Sequence, residues 1–304
     1  MPSGLLPSHP LDTAMPDLAI IIPSVLNGIT TGSLYALIAL GLTLIYGVLH
    51  IINFAHGALL MVGLYAVWFL NVQLGIDPYW ALLIVPPAMF ALGYALQRGI
   101  IGKASHGRDE NILLVTLGLS IVIENLALYV FRSDTRIVDT PYSFETVEFL
   151  GAFLPLPKVI AFFGALVTAT VLWLLMARTD LGRAIRALAK ERKGAELVGI
   201  NTEHVYAMSF GLGIACLGVA ACLLLPSYYV TPQVGHGFVL IAFTIVVLGG
   251  MGSFVGALIG GLIIGVVEAM GGLFLGESLG QIGIFVIFIL VLMFRPQGLL
   301  GHKV

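Results

Sequence analysis

The run VIAFFGALVTATVLWLLMA, residues 159–177, decides the fold class because it carries no charged residue. A membrane-spanning α-helix needs about 20 mainly apolar residues. A transmembrane β-strand would alternate apolar and polar residues over about 10 positions, whereas this run is apolar on every face. Only helices and closed barrels satisfy their backbone polar groups inside lipid. The run therefore predicts a spanning helix.

The whole chain is also rich in hydrophobic residues and poor in charged ones. Hydrophobic residues make up 59% of its 304 residues, charged residues only 10%, and the mean hydropathy is +1.05. These values exclude a soluble globular protein. The formal net charge of −2 is close to neutral, and no basic pattern indicates nucleic-acid binding. The composition predicts a polytopic protein embedded in the lipid bilayer.

Eight hydrophobic blocks divide the chain, at 18–49, 51–74, 79–101, 111–131, 158–178, 205–229, 237–275 and 280–294. They predict an all-α polytopic membrane protein with about eight transmembrane helices in a single domain, residues 18–300. The first block is either one tilted helix or a broken one, and glycines near Gly250 predict that the seventh folds back as two helices. The count is therefore eight to ten. Residues 1–17 contain four prolines and predict a disordered leader.

The distribution of Lys and Arg predicts the orientation, because these residues accumulate in short cytoplasmic loops. One basic loop holds Arg98, Lys103 and Arg108, and a second covers residues 179–201. The stretch 132–157 is richer in acids and proline and predicts an external loop. An unbroken first block then places the amino-terminal side outside, and a broken one places it inside.

Residues 179–201 combine charge with an amphipathic pattern. Six of the fourteen Lys and Arg of the chain lie between Arg178 and Lys193. A helix of about ten residues, bracketed by Gly182 and Gly194, would have Asp180 as its cap and separate apolar from basic positions. It would either lie on the anionic inner leaflet or dock onto another protein. Its short length favours docking, with these candidate contact residues: Asp180, Leu181, Gly182, Arg183, Ile185, Arg186 and Lys190.

Two polar groups within the apolar blocks are candidates for the lining of a translocation path. One group is expected to share a helix face because of its i, i+3, i+4 spacing, and the other lies in the long first block. In both cases the alternative is hydrogen bonding between helices. The candidate residues are Asn53, His56 and Gly57, and Asn27, Thr30 and Thr31. For Glu124 and Glu268, hydrogen bonding between helices or a position at the outer end of a span is favoured over proton relay.

Glycines at four-residue spacing predict close helix packing. The chain has 37 glycines, and the regular set is Gly252, Gly256, Gly260, Gly261 and Gly265. Such small residues allow helix backbones to approach each other.

The sequence has no nucleotide-binding or metal-binding motif. The nucleotide-binding pattern G-x-x-x-x-G-K-[ST] and the zinc pattern H-E-x-x-H have no match, and no Cys/His cluster has metal-ligand spacing. The chain is therefore predicted not to be an enzyme and to hold no metal or cofactor. Any energy source would belong to another chain.

Three separated motifs carry a resemblance to a known family: NGITTGSLYALIALGLTLIYGVLHIINFAHGALLMVGLYA at 27–66, GRAIRALAKERKGAELVGIN at 182–201 and VLGGMGSFVGALIGGLIIGVVEA at 247–269. In this order and spacing they resemble the LivH-type permeases of bacterial branched-chain amino acid ABC transporters. The resemblance covers residues from about 20 to 300.

The resemblance implies a multi-pass permease of the bacterial inner membrane that pairs with a LivM-like permease. Two cytoplasmic ATPase subunits holding ATP and magnesium would drive it, and a periplasmic binding protein would deliver the substrate. Residues 179–201 would be the ATPase-coupling segment. Amides, urea or short peptides are alternative substrates. An ion-coupled carrier that acts alone is the rival function. Buried charge pairs would favour it, and the sequence shows none.

Overall fold

The computed structural model describes residues 18–104, 109–295 and 297–300, so the predicted leader and Arg108 lie outside the described residues. Helices form most of the described chain. The α-helices are α1 Leu18–Leu49, α2 His56–Leu74, α3 Val85–Leu96, α4 Gly102–Ala104, α5 Asp109–Phe131, α6 Leu156–Arg178, α7 Asp180–Lys190, α8 Arg192–Leu197, α9 Thr202–Leu224, α10 Gly235–Gly249, α11 Phe254–Leu275 and α12 Glu277–Phe294. Two strands, β1 Thr146–Phe149 and β2 Ala152–Pro155, pair as an antiparallel hairpin.

Within the described residues, six helices are long and apolar enough to cross a membrane: α1, α2, α5, α6, α9 and α11. Two shorter apolar helices, Gly235–Gly249 and Gly280–Phe294, accompany them. In addition, α3 continues through a π-helical turn, Gln97–Ile101, into α4. The prediction of an all-α polytopic protein is confirmed. Helices α1 and α9 form its centre, since 78% of each span is buried against 17% for α5.

Helix α6 fixes the two ends of the bundle. It begins directly after β2 and ends at Arg178, one residue before α7. Its 23 residues rise by about 33 Å. The β1–β2 hairpin and the α7–α8 segment therefore lie at opposite ends, which we call the hairpin end and the basic end.

The first block is one unbroken helix. Helix α1 continues through Asn27 and Gly32 for 32 residues, or about 48 Å, with Pro23 near its start. This exceeds the hydrocarbon thickness of about 30 Å. By contrast, the seventh block breaks as predicted, because α10 ends at Gly249 and α11 begins at Phe254. Ser253 caps α11 by accepting a hydrogen bond from the Gly256 N–H, at 3.1 Å.

Helix α11 packs tightly against α1 through glycine. A Cβ added at Gly261 would lie 2.5 Å from the Cβ of Ala36, and one at Gly28 would lie 2.7 Å from the Cα of Val266. Gly256 and Gly260 instead face α10. Gly252 is not part of this packing face, contrary to expectation. It lies in the turn before α11 with a φ of +85°, a backbone conformation that favours glycine.

Helix α2 begins inside the bundle rather than at its end. Its first residue, His56, hydrogen-bonds through Nε2 to the carbonyl oxygen of Ile38, at 3.0 Å. Ile38 lies about 16 Å along α1 from Leu49, so residues 50–55 fold back into the protein. Helix α10 begins beside α2, because a Cβ added at Gly57 would lie 2.8 Å from the carbonyl carbon of Gly235. Two helix starts therefore meet inside the bundle, an arrangement typical of discontinuous membrane helices.

Candidate functional site

The start of α7 is built by Thr179 and Gly182. The Thr179 hydroxyl oxygen accepts a hydrogen bond from the Gly182 N–H, at 3.0 Å, and so caps the helix. Asp180 was expected to be the cap, but it lies in the first turn and pairs with Arg183. Gly182 and Gly194 do not bracket the helix, because they lie within α7 and α8. A Cβ at Gly182 would lie 2.6 Å from the Cα of Met176, so glycine lets α7 fold back onto the end of α6.

The apolar face of α7 is buried against the protein itself. Ile185 and Leu188 are buried, as is Ala195 of α8, while Leu181 is half-buried. Arg186 donates a hydrogen bond to the Met176 carbonyl oxygen at the end of α6. Because this face is occupied, it cannot insert into a lipid leaflet. The basic face, including Arg183 and Lys190, is exposed.

An exposed apolar pair at the basic end was missed by the sequence reasoning. Leu197 and Val198, at the end of α8, are 88% and 76% exposed. They follow directly on the basic run, so a search for large apolar residues next to charged ones could have found them. Exposed large apolar residues in a polar segment mark protein contact sites.

Asn53, His56 and Gly57 lie where the two helix starts meet. Asn53 is not on the face of α2, because the helix begins only at His56. Instead, the Asn53 Oδ1 accepts a hydrogen bond from the Ala55 N–H, at 3.1 Å. His56 is fully buried. Its Nδ1 and the Nδ2 of Asn53 have no hydrogen-bond partner within the described part of the chain.

A second polar pair lies at the same helix start. The Nε2 of His236, in the first turn of α10, lies 2.9 Å from the Glu124 carboxylate of α5. Glu124 therefore joins two helices, as favoured from the sequence. We call His56, Gly57, Gly235 and His236 the helix-start junction.

Asn27 and Thr31 line a cavity of about 460 Å³ between α1 and α11. The lining extends along α1 from Ser24 to Tyr35, which is about 16 Å. Thr30 does not line it, since its hydroxyl donates to the Asn27 carbonyl oxygen of the same helix, at 2.9 Å. Two of the three candidate residues of the first block, Asn27 and Thr31, therefore line the same cavity.

Two charged residues meet at this cavity. The Lys158 Nζ donates to the Asn27 Oδ1, at 2.8 Å, and lies 3.5 Å from the Thr31 hydroxyl. The Glu268 carboxylate lines the cavity and interacts electrostatically with Tyr35 and with Lys158. Both side chains are half-buried. Lys158 lies in the first turn of α6, at the start of the predicted 158–178 block.

Tyr35 connects the cavity with the helix-start junction. Its ring packs edge-on against Phe238 of α10, with 6.1 Å between centroids, and Phe238 packs against Tyr228, at 5.5 Å. The cavity therefore opens in the half of the bundle near the hairpin end and stops close to the junction. Among the described residues, no group of three or more His, Cys, Asp or Glu could hold a metal ion.

Comparisons of the sequence with known proteins identify a family of membrane permeases. Residues 24–294 match the family described as branched-chain amino acid transport system / permease component. The high-affinity branched-chain amino acid transport system permease protein BraD of Pseudomonas aeruginosa is 34% identical over 95% of this chain and 98% of its own length. The corresponding permease protein LivH of Escherichia coli K12 is 34% identical over 91% of this chain and 94% of its own.

A more distant relative is the D-allose transport system permease protein AlsC of Escherichia coli K12, 28% identical over 64% of this chain and 59% of its own length. No solved structure matches the chain. The family match covers most of the chain, and the two similar relatives are aligned over nearly their full length. The chain belongs to the family of permease components of branched-chain amino acid transport systems.

Proposed function

We propose that this protein is the LivH-type permease subunit of an ATP-driven importer that carries branched-chain amino acids across the bacterial inner membrane. The names of its relatives support the substrate. A LivM-like permease, two cytoplasmic ATPase subunits with ATP and magnesium, and a periplasmic binding protein complete the assembly.

Nine segments cross or enter the membrane in this proposal: α1, α2, α3 with its continuation into α4, α5, α6, α9, α10, α11 and α12. The basic end faces the cytoplasm, because it holds the 179–201 segment. The hairpin end, with residues 132–157, then faces the periplasm. Since α1 is unbroken and its Asn27 bonds Lys158 near the hairpin end, its amino end lies outside.

The α7–α8 segment is the ATPase-docking surface. The observation that carries this assignment is that its apolar face is fixed to the bundle while Leu197, Val198 and the basic face remain exposed. A docking surface that couples the ATPase to transport needs both properties, because a movement of the ATPase at the exposed surface must reach the membrane-spanning helices. Gly182 and the Arg186 bond to Met176 couple the segment directly to α6.

Transport follows from two alternating states of the bundle. The cavity near the hairpin end receives the substrate, and the helix-start junction closes the path toward the basic end. ATP-driven closure of the ATPase dimer moves α7 and α8, and through them α6. The glycine contacts between α1 and α11 allow the helices to shift while their backbones stay close.

The docking assignment is tested by the change Leu197→Asp together with Val198→Asp. We expect the ATPase subunits to be lost from the purified complex, because two charges replace the apolar contact. Phe144→Asp is the matched control, since Phe144 is 86% exposed at the opposite end. Co-purification of the ATPase in normal amounts with the double variant would contradict the docking role.

The transport assignment is tested by uptake into vesicles that hold the complete complex. Labelled leucine, an amide and urea are offered with and without the binding protein. We expect leucine uptake that requires both ATP and the binding protein. Uptake of urea or an amide instead would contradict the substrate assignment.

An ion-coupled carrier is the second candidate function, and the Lys158 and Glu268 pair favours it. Such a carrier would take up substrate without ATPase subunits. Vesicles that contain the permease alone and an imposed proton gradient distinguish the two functions. Uptake under these conditions would replace the ATP-driven mechanism.

A further inference from the structure

The cavity between α1 and α11 has a negative side chain, Glu268, in its lining, and a positive one, Lys158, lies at its edge, where it bonds the lining residue Asn27. Charged side chains within spans are costly and mark functional sites. Lys158 bonds the neutral Asn27, and Glu268 interacts electrostatically with the neutral Tyr35. Within the described part of the chain, neither charge forms a direct salt bridge. Both remain able to bind charged groups of a ligand.

The rest of the lining has a different character. Gly28, Gly265, Ala269, Gly272 and Leu273 add small or apolar surface beside the charged groups. The volume of about 460 Å³ falls within the range of about 300–1,000 Å³ that is typical of small-molecule sites. The cavity thus combines one negative group with an apolar wall, and one positive group lies at its edge.

We propose that this cavity binds the zwitterionic head group of an α-amino acid, with the Lys158 ammonium on the substrate carboxylate and the Glu268 carboxylate on the substrate ammonium. The inference rests on the proposed transport function and assigns its binding residues. Asn27 positions Lys158 through its hydrogen bond, and Tyr35 lines the cavity together with Glu268. The apolar wall receives an aliphatic side chain. Charge-assisted hydrogen bonds of this kind select strongly against analogues that lack one charge.

The location of the cavity agrees with an entry site. Lys158 lies in the first turn of α6, at the hairpin end, and Tyr35 lies beside Phe238 at the inner limit. A substrate released at the hairpin end would meet Lys158 and Glu268 before it reaches the helix-start junction.

The test uses the complete complex in lipid nanodiscs and measures equilibrium binding of three ligands. These are leucine, leucinamide, which lacks the carboxylate, and 4-methylpentanoate, which lacks the ammonium. We expect the wild type to prefer leucine to each analogue by about tenfold or more. In Lys158→Gln the preference over leucinamide should fall toward one, and in Glu268→Gln the preference over 4-methylpentanoate should do so.

Two controls separate recognition from general effects. Lys158→Arg keeps the positive charge and should keep the preference over leucinamide. Glu124→Gln removes another carboxylate from a span, and both preferences should stay at the wild-type values. If Lys158→Gln and Glu268→Gln weaken assembly or binding while both preferences remain unchanged, the two charges serve only the structure and the inference is overturned.

Failure of the site and failure of the function have different signatures. Normal ATP-dependent leucine uptake by both neutral variants would reject the site and leave the proposed function intact. A wild-type complex that transports urea or an amide in place of leucine would reject the function and the site together.

Discussion

The contact between α1 and α11 predicts a large effect for the smallest possible substitution, Gly261→Ala. A methyl carbon at this position would lie 2.5 Å from the Cβ of Ala36 and 2.6 Å from its Cα. Carbon atoms in contact normally lie about 3.5–4.0 Å apart. The two helices must therefore separate by about 1 Å, because neither the backbone nor an alanine side chain can rotate away.

The magnitude follows from two opposing terms. Overpacking of a tight contact costs about 1–3 kcal/mol, and the upper value applies because no flexible atom is present. Alanine returns about 1 kcal/mol through its better helix propensity. We expect a net loss of about 2 kcal/mol in the free energy of unfolding. Gly118→Ala is the matched control, since a Cβ there has no atom within 4 Å and should be neutral or stabilising.

The assay is reversible unfolding of the purified protein by sodium dodecyl sulfate in mixed micelles. Gly260→Ala adds an intermediate case, because its Cβ would meet the Ile245 carbonyl oxygen at 3.1 Å. The expected order of stability is Gly118→Ala, then Gly260→Ala, then Gly261→Ala. If Gly261→Ala is as stable as Gly118→Ala, close packing of α1 and α11 is not what these glycines provide.

Three further changes test the basic end and the helix-start junction. Gly182→Val should detach α7 from α6 and abolish uptake, measured in vesicles, whereas Gly194→Val should be tolerated because its nearest neighbour is the flexible Glu191 side chain, at 3.3 Å. Arg183→Glu should raise the ATP hydrolysed per leucine transported without reducing assembly, and an unchanged ratio would remove Arg183 from the docking surface. His56→Ala should lower the uptake rate several-fold through loss of its bond to the Ile38 carbonyl, with assembled complex at wild-type yield; a proportional fall in yield would make His56 purely structural.

The sequence predicted the helical elements well where one local property decides them. Apolar length predicted the six helices that are long enough to cross a membrane, and the glycines near Gly250 predicted the break between α10 and α11. The amphipathic pattern predicted a helix of about ten residues at the basic segment, and α7 has eleven. The predicted cap residue, Asp180, was wrong. Thr179 and Asp180 are both good capping residues, and only the backbone geometry distinguishes them.

The spatial neighbours of the candidate path residues could not be predicted. The sequence singled out Asn27, Thr31 and His56 as candidates, but it gave no reason to connect Lys158, at the start of the 158–178 block, with Glu268. The i, i+3 rule placed Asn53 on a helix that begins only at His56. The start of α2 inside the bundle depends on contacts with α1 and α10, so no local pattern reveals it.

The amino-acid sequence by itself determined the membrane environment, the helical class and the concentration of basic charge at residues 179–201, because composition and short-range periodicity fix these properties. Only the tertiary structure decided that α1 is continuous, that two helices begin at a shared junction, and that Lys158 interacts electrostatically with Glu268. These two residues are 110 positions apart, and only the packing of α6 and α11 around α1 brings their charges to one cavity.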